Sequence, residues 1–321
     1  MVVLSNAATL QPAAAASHDH LIRNASVGLK SLTLLIYGPS GIGKSTQGVM
    51  LSKYCPEVFT PVAPGTPLQI CDDVFTVSYD KDGMLCGLPY GLDMPGIQVN
   101  DARWELGTDG VDANGNTVRK PMPLREFHRS IMFPMIHEQY RRGVRNFVLD
   151  TLTSMVTTVQ PEVEASTTVG GSRNNMEYWP ALTACAQELY AATSCLPGAT
   201  VLYLAHSVFK EDFAIPNKNE NRAAAEERTQ KKKSSVDPYL SKITLAMPGK
   251  TGEVFANQSS LVLAMDLRLD PKTQQYDRQF VVNPGETDHR AKNRFASWLN
   301  PIEPANIRAV IRKLQTAAGI V

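Results

Sequence analysis

Residues 38–45 combine glycines, a lysine and a serine in a spacing that suits phosphate binding. They fit the pattern G-x-x-x-x-G-K-[ST], and we call them the phosphate loop. The glycines let backbone N–H groups turn toward a phosphate, and a helix that begins near Lys44 adds its positive dipole end. We expect Lys44 to neutralise the β- and γ-phosphates of a nucleotide and Ser45 to ligate Mg²⁺. The residues predicted to contact the nucleotide are Gly38, Pro39, Ser40, Gly41, Ile42, Gly43, Lys44, Ser45 and Thr46.

The elements that flank the phosphate loop are those that the motif requires. The apolar run 31–37 predicts a buried strand that ends at Gly38, and residues 45–53 have helical spacing with Val49 and Met50 inward. A strand that feeds the loop and a helix that leaves it rarely accompany a chance match. The sequence therefore predicts a P-loop NTPase that binds Mg-ATP.

Two later strands also end in polar residues. Asp150 follows the apolar run 144–149, and His206 follows the run 200–205. Because parallel strands carry their ligands beyond their carboxyl ends, we expect both side chains near the phosphate loop. Asp150 is predicted to hold the magnesium through a water, or else to cap the next turn. His206 is predicted to sense the γ-phosphate, with a purely structural histidine as the alternative.

Hydrolysis also needs a group that orients the attacking water. Asp72, Asp73 and Asp80 each adjoin an apolar stretch that could form the adjacent strand. The sequence does not choose among them, and each could instead stabilise a turn.

The order of elements predicts an α/β fold with a mostly parallel, doubly wound sheet and helices on both faces. Strands at 261–269 and 279–282 predict a C-terminal antiparallel extension, and a last helix is expected over 304–317. A bent helix is expected at 124–141, with the bend at Pro134, and another around Trp179 and Leu182. We expect a flexible tail at 1–28 and one domain at 29–317. A Pro/Gly-rich insertion at 61–123 is expected to carry a hairpin around Asn114 and Gly115.

Composition narrows the classes of function. The 321 residues carry a net charge of +1, which gives no global attraction to nucleic acid. Five scattered cysteines without a C-x-x-C pair argue against disulfides and a zinc site. No apolar run is long enough to cross a bilayer. We expect a soluble, cytoplasmic protein that does not bind membranes.

Two polar loops are predicted after the strands that end in Asp150 and His206. The first spans 157–175, and the second, a basic loop at 208–237, contains Arg228, Lys231, Lys232 and Lys233. Residues 217–235 hold six basic and three acidic side chains, which suits a segment ordered by a phosphate backbone. The alternative is a solvated surface loop.

Several segments in this order resemble the RecA-like ATPases of tailed phages, including their single-strand annealing and recombination proteins. The matching segments are residues 34–46, 147–151, 202–206, 248–252, 291–294 and 302–306. The resemblance implies a RecA-type core, two DNA-facing loops after Asp150 and His206, and ATP held between neighbouring subunits of a homo-oligomer. It also implies a basic finger from Lys250, Lys292 or Arg294, each of which could equally be a surface cation. The long 61–123 stretch and the lack of a matching catalytic glutamate depart from the family.

The sequence thus favours an ATPase that acts on DNA, most simply single-stranded DNA in recombination or replication. One alternative is a motor or loader ATPase that works through a protein partner in replication or packaging. Another is a small-molecule or nucleoside kinase, which the absence of a compact arginine-rich lid disfavours.

Overall fold

The computed structural model describes part of the chain. The described residues are 31–53, 55, 69–70, 73–79, 85–87, 97–98, 102–104, 108–111, 114–115, 117–120, 124–209, 243–269, 274–283, 291–295 and 298–320. The predicted tail at 1–28 lies outside them.

Five parallel strands form the centre of the main sheet, in the order β14-β1-β12-β9-β3. Their bounds are β1 Leu32–Gly38, β3 Val74–Tyr79, β9 Asn146–Asp150, β12 Thr200–Phe209 and β14 Leu261–Leu269. Leu34, Leu35 and Ile36 are fully buried, as expected of a strand covered on both faces. The predicted α/β class and parallel core are confirmed.

Antiparallel strands extend this centre. Strand β15 (Tyr276–Val281) pairs with β14, and β17 (Ile302–Pro304) pairs with β15, which confirms the predicted C-terminal antiparallel extension. The other antiparallel partners in this sheet are β4 (Leu85–Gly87), β6 (Ala102–Trp104), β13 (Ile243–Leu245) and β16 (Lys292–Asn293). Small separate sheets are formed by β2 (Gln69–Ile70) with β5 (Ile97–Gln98) and by β10 (Thr168–Val169) with β11 (Ser172–Arg173). The hairpin predicted around Asn114 is confirmed as β7 (Thr108–Val111) with β8 (Thr117–Lys120).

Helices cover both faces of the main sheet. Their bounds are α1 Lys44–Val49, α2 Leu124–Phe127, α3 Phe133–Arg141, α4 Leu152–Thr167, α5 Asn175–Ser194, α6 Thr251–Gln258 and α7 Ile307–Ala317. One apolar core joins Leu35 and Tyr37 to α4, α5 and α6. The second joins Leu34 and Ile36 to Ile42 and to the buried side of α7. This alternation along β1 is that of a strand with helices on both sides.

One expected loop is wrong. Residues 157–167, predicted as the start of a polar loop, continue helix α4, and only β10 and β11 follow as a short hairpin. The hydroxyls of Thr157 and Thr158 donate to carbonyl oxygens four residues earlier, so these polar side chains are satisfied within the helix. The buried stripe of α4 includes Met155, Val159 and Val163.

Several boundaries also differ from the prediction. Pro134 lies in the first turn of α3, where a missing N–H costs little, and a π-helical turn at His128–Met132 joins α2 to α3. Trp179 is 39% exposed, and Tyr178 occupies the buried face of α5 instead. Helix α1 ends at Val49, β12 continues past His206 to Phe209, and α7 begins at Ile307.

Candidate nucleotide-binding site

The predicted site residues meet at the carboxyl edge of the parallel strands. Gly38 of β1 lies opposite His206 of β12, and Leu204 of β12 lies opposite Asp150 of β9. Strand β12 therefore separates the strand that leads into the phosphate loop from the strand that ends in Asp150. The expectation that Asp150 and His206 lie near the phosphate loop, at the carboxyl ends of parallel strands, is confirmed.

The backbone of the phosphate loop requires glycine at several positions. Gly41 and Gly43 have φ angles of 76° and 101°, in the left-handed region that favours glycine. A Cβ on Gly38 would lie 2.6 Å from the carbonyl oxygen of Met265, so any side chain would force β1 and β14 apart. Ile42 is buried and anchors the loop, whereas Pro39, Ser40 and Gly41 are exposed.

Lys44 lies folded under the loop. Its Nζ donates to the carbonyl oxygens of Gly38 at 3.0 Å and Pro39 at 2.7 Å. The same atom is 3.5 Å from Nδ1 of His206. Burial lowers the pKa of Lys44, and the nearby Asp150 carboxylate partly opposes that shift. The ammonium group is thus held at the point where the loop and β12 meet.

Ser45 and Asp150 are directly paired. The Ser45 hydroxyl donates to Oδ2 of Asp150 at 2.6 Å, although 105 residues separate them in the chain. Asp150 is buried, with 7% of its surface exposed. A hydroxyl and a carboxylate are oxygen ligands of the type that Mg²⁺ prefers, and Mg²⁺ in phosphate sites takes only one or two protein carboxylates. Among the described residues, no group of three or more His, Cys, Asp or Glu side chains is placed to hold a metal ion.

The backbone of His206 is held by a hydrogen bond to helix α4 in addition to the pairing of strand β12. Its N–H donates to Oγ1 of Thr153, in the first turn of α4, at 2.9 Å. Burial lowers the pKa of His206, Lys44 lowers it further, and Asp150 opposes the shift. The imidazole is therefore neutral at pH 7 and has one donor and one acceptor nitrogen. Thr153 was missed from the sequence, because a threonine after a strand also fits an ordinary helix start.

Helix α1, which carries Lys44 and Ser45, is braced by the C-terminal part of the chain. The Gln47 amide donates to the Ala305 carbonyl at 3.0 Å and accepts from the Ile307 N–H at 2.9 Å. The Arg308 guanidinium donates to the carbonyl oxygens of Met50, Ser52 and Cys55, just after α1. The opposite side of α1 touches β9, since a Cβ on Gly48 would lie 3.0 Å from Val148.

Asp73 is not placed to orient a water. It lies at the amino end of β3, the edge opposite the phosphate loop, and its carboxylate accepts from the Ser52 hydroxyl at 2.6 Å and the Lys53 N–H at 2.8 Å. The structure therefore corrects this candidate, whose carboxylate fixes the end of the α1 segment. Asp72 and Asp80 lie outside the described residues.

The predicted basic loop lies largely outside the described residues, with Arg228, Lys231, Lys232 and Lys233 among 210–242. Both ends of this segment are nevertheless fixed, because Phe209 of β12 pairs with Ile243 of β13. The Ala246 N–H donates to the His206 carbonyl at 2.8 Å. The two described residues that flank the basic segment, Phe209 and Ile243, are therefore paired with each other, and Phe209 lies three residues after His206.

The candidate finger residues occupy different places. Lys250 is exposed at the start of α6. Lys292 and Arg294 lie by the amino end of β14 and donate to carbonyl oxygens at the end of α6, including that of Asn257. Lys292 also donates to the carbonyls of Ala256 and Ser259, so it caps that helix.

Arg278, on β15, was not singled out from the sequence. A Cβ on Gly43 would lie 3.6 Å from its Nε, so this exposed guanidinium adjoins the phosphate loop. The β1–β14 and β14–β15 pairings together bring residue 278 to residue 43, and no local motif signals it.

Compared with known proteins, the chain matches no family model and no curated protein. Within the described ranges, none of the helices is both long and apolar enough to cross a membrane.

Proposed function

We propose that this chain binds Mg-ATP at the phosphate loop, hydrolyses it to ADP and phosphate, and couples that reaction to DNA. The observation that carries the nucleotide proposal is the convergence of Lys44, Ser45, Asp150 and His206 from three strand ends. Sequence pattern alone predicted each of these four residues. The distances of 2.6 Å from the Ser45 hydroxyl to Oδ2 of Asp150 and 3.5 Å from Nζ of Lys44 to Nδ1 of His206 support their acting together.

The residues have complementary roles in this proposal. Backbone N–H groups of residues 41–46 receive the phosphates, and the Lys44 ammonium moves from the Gly38 and Pro39 carbonyls to phosphate oxygens. Ser45 and Asp150 would hold Mg²⁺, which supplies positive charge to the phosphates. A hydroxyl already hydrogen-bonded to a buried carboxylate is pre-organised for that task.

His206 connects the site to the basic segment. A neutral imidazole beside Lys44 can hydrogen-bond a terminal phosphate, and the strand that carries it leads directly into residues 210–242. A change at the terminal phosphate can therefore shift the β12–β13 pair from which the basic segment emerges. This arrangement supports communication between nucleotide and DNA, with single-stranded DNA as the proposed partner.

A RecA-like core and a homo-oligomer with ATP between subunits complete the proposal. The support is the five-stranded parallel core with the phosphate loop at its carboxyl edge, together with the matching segments in the sequence. Lys250, exposed near that edge, is the better placed candidate for a finger that reaches a neighbouring subunit, since Lys292 caps α6.

The test is steady-state ATP hydrolysis without nucleic acid, with single-stranded DNA and with duplex DNA. Lys44→Ala serves as the blank because it removes the phosphate-contacting ammonium. The proposal expects stimulation by single strands that disappears when Lys231, Lys232 and Lys233 are changed together to Ala. Arg141, Arg142 and Arg268 are exposed, and changing them together to Ala removes the same charge outside the basic segment and should preserve stimulation.

Two results would count against the proposal at different levels. Hydrolysis that is insensitive to any DNA would overturn the DNA-coupled part and favour a protein partner. Hydrolysis that survives in Lys44→Ala would overturn the assignment of the site itself.

A further inference from the structure

Arg278 lies on the side of the phosphate loop away from Asp150. Strand β1 has β12 and β9 on one side, with His206 and Asp150, and β14 and β15 on the other. A Cβ on Gly43 would lie 3.6 Å from Nε and 3.7 Å from Cδ of Arg278. The guanidinium therefore borders the last glycine before Lys44, on the flank opposite the Ser45–Asp150 pair.

The strand register fixes which face Arg278 occupies. It lies opposite Leu267, and two residues further along β15 Phe280 lies opposite Met265. Directly opposed residues of an antiparallel pair share a face, as do residues two apart on one strand. Met265 and Phe280 are buried in the core that contains Ile42 of the phosphate loop. Arg278 consequently projects on the loop side of the extension.

The charge of Arg278 is not used within the described structure. Its side chain is exposed and has no hydrogen-bond or ion-pair partner among the residues that the structure describes. Its backbone is held firmly, since β15 pairs with β14 and the Arg278 carbonyl accepts from the Ala305 N–H at 3.1 Å. Because the backbone of Arg278 is held in place and its guanidinium has no partner among the described residues, the side chain suits recognition of an anion. The five N–H donors of a guanidinium match phosphate oxygens.

We infer that Arg278 binds the phosphate nearest the nucleoside of a bound nucleotide, and so recognises nucleoside diphosphates and triphosphates alike. This inference rests on the proposed function. Ser45 and Asp150 mark the flank where Mg²⁺ would be held, and with it the terminal phosphates whose charge it would neutralise. The phosphate that remains for the opposite flank is the one attached to the ribose.

The contact has a distinctive energetic consequence. A phosphate next to the nucleoside is present in ATP and ADP and does not change its bonding when the terminal phosphate leaves. Arg278 therefore binds the ground state and the transition state equally, which affects affinity and not the rate at saturation. Replacement of Lys44, which is proposed to contact the reacting phosphates, should instead lower both the affinity and the rate at saturation.

The experiment is calorimetric titration of ATP and of ADP, each with Mg²⁺, into the wild-type chain, Arg278→Ala, Arg278→Lys and Arg268→Ala. Arg268 is the matched control, because it lies on the neighbouring strand opposite Asp277 and so projects from the other face. Arg278→Ala should raise the Kd for ATP and for ADP by the same factor, about ten-fold, as expected for a charge-assisted hydrogen bond. Arg278→Lys should lose less affinity for both nucleotides, and Arg268→Ala should bind them as tightly as wild type. The kcat of Arg278→Ala should stay within about two-fold of wild type.

The outcomes separate this inference from the proposal on which it rests. Unchanged affinity in Arg278→Ala overturns the inference alone, as does a loss confined to ATP, which would assign Arg278 to the terminal phosphate. A wild-type chain that binds neither nucleotide overturns the proposed function and the inference together. The melting temperature of nucleotide-free Arg278→Ala should match wild type, since the side chain makes no hydrogen bond or ion pair to the residues that the structure describes.

Discussion

Gln47 links helix α1 to the start of helix α7, and its replacement has a calculable effect on stability. Its side chain is 2% exposed and makes two hydrogen bonds, to the Ala305 carbonyl and from the Ile307 N–H. Gln47→Ala leaves the buried Ile307 N–H without its partner, at a cost of about 1–3 kcal/mol, and loses the second bond, worth about 1 kcal/mol. We therefore expect Gln47→Ala to lower the free energy of unfolding by about 2–4 kcal/mol.

The assay is equilibrium unfolding in urea, with Gln187→Ala as the control. Gln187 is an exposed residue within helix α5, so the same substitution there should change the free energy by less than about 0.5 kcal/mol. A loss below about 0.5 kcal/mol in Gln47→Ala would refute the argument that this amide braces α1. Because α1 presents Lys44 and Ser45, the variant should also bind ATP more weakly than wild type.

Two further predictions concern groups outside the nucleotide site. Asp73→Ala should lower the free energy of unfolding by about 1–3 kcal/mol, because the hydrogen bonds to Ser52 and Lys53 are lost. The kcat for ATP hydrolysis by the folded variant should stay unchanged. A large loss of kcat would restore Asp73 as a water-orienting group. Burial lowers the pKa of His128 from 6.5 to about 4, with Glu188 opposing the shift. As pH falls, the unfolded chain binds a proton at His128 before the folded protein does, and this favours unfolding. The stability that the neutral His128 supplies is therefore fully present above pH 6.5 and is lost toward pH 4, with a loss of about 2 kcal/mol in the free energy of unfolding at pH 5. Urea unfolding at pH 7.5 and pH 5 should show that loss in wild type and not in His128→Gln, and equal losses in both would contradict it.

Local patterns were sufficient to predict the centre of the molecule. The phosphate loop, Asp150 and His206 each follow an apolar run that is buried on both faces, so their place at the carboxyl edge follows from strand direction alone. The antiparallel β14–β15 pair and the hairpin near Asn114 were also predictable, because alternation and turn residues are short-range signals.

Features that depend on distant parts of the chain were not predictable. Helix α4 was partly mistaken for a loop because its threonines look polar in sequence, whereas their hydroxyls bond to the helix backbone. Asp73 resembled a catalytic candidate until strand register placed it at the wrong edge of the sheet. Arg278 and Gln47 acquire their roles only through residues more than 200 positions away.

The most direct test of the site is the Mg²⁺ dependence of ATP binding, measured by titration calorimetry on wild type, Lys44→Ala and Asp150→Asn. We predict that wild type binds ATP more tightly with Mg²⁺ than with EDTA. Lys44→Ala should weaken binding by about 10- to 100-fold, through loss of charge-assisted hydrogen bonds, and Asp150→Asn should abolish the advantage of Mg²⁺. Wild-type binding that is indifferent to Mg²⁺ and unchanged in Lys44→Ala would contradict the account.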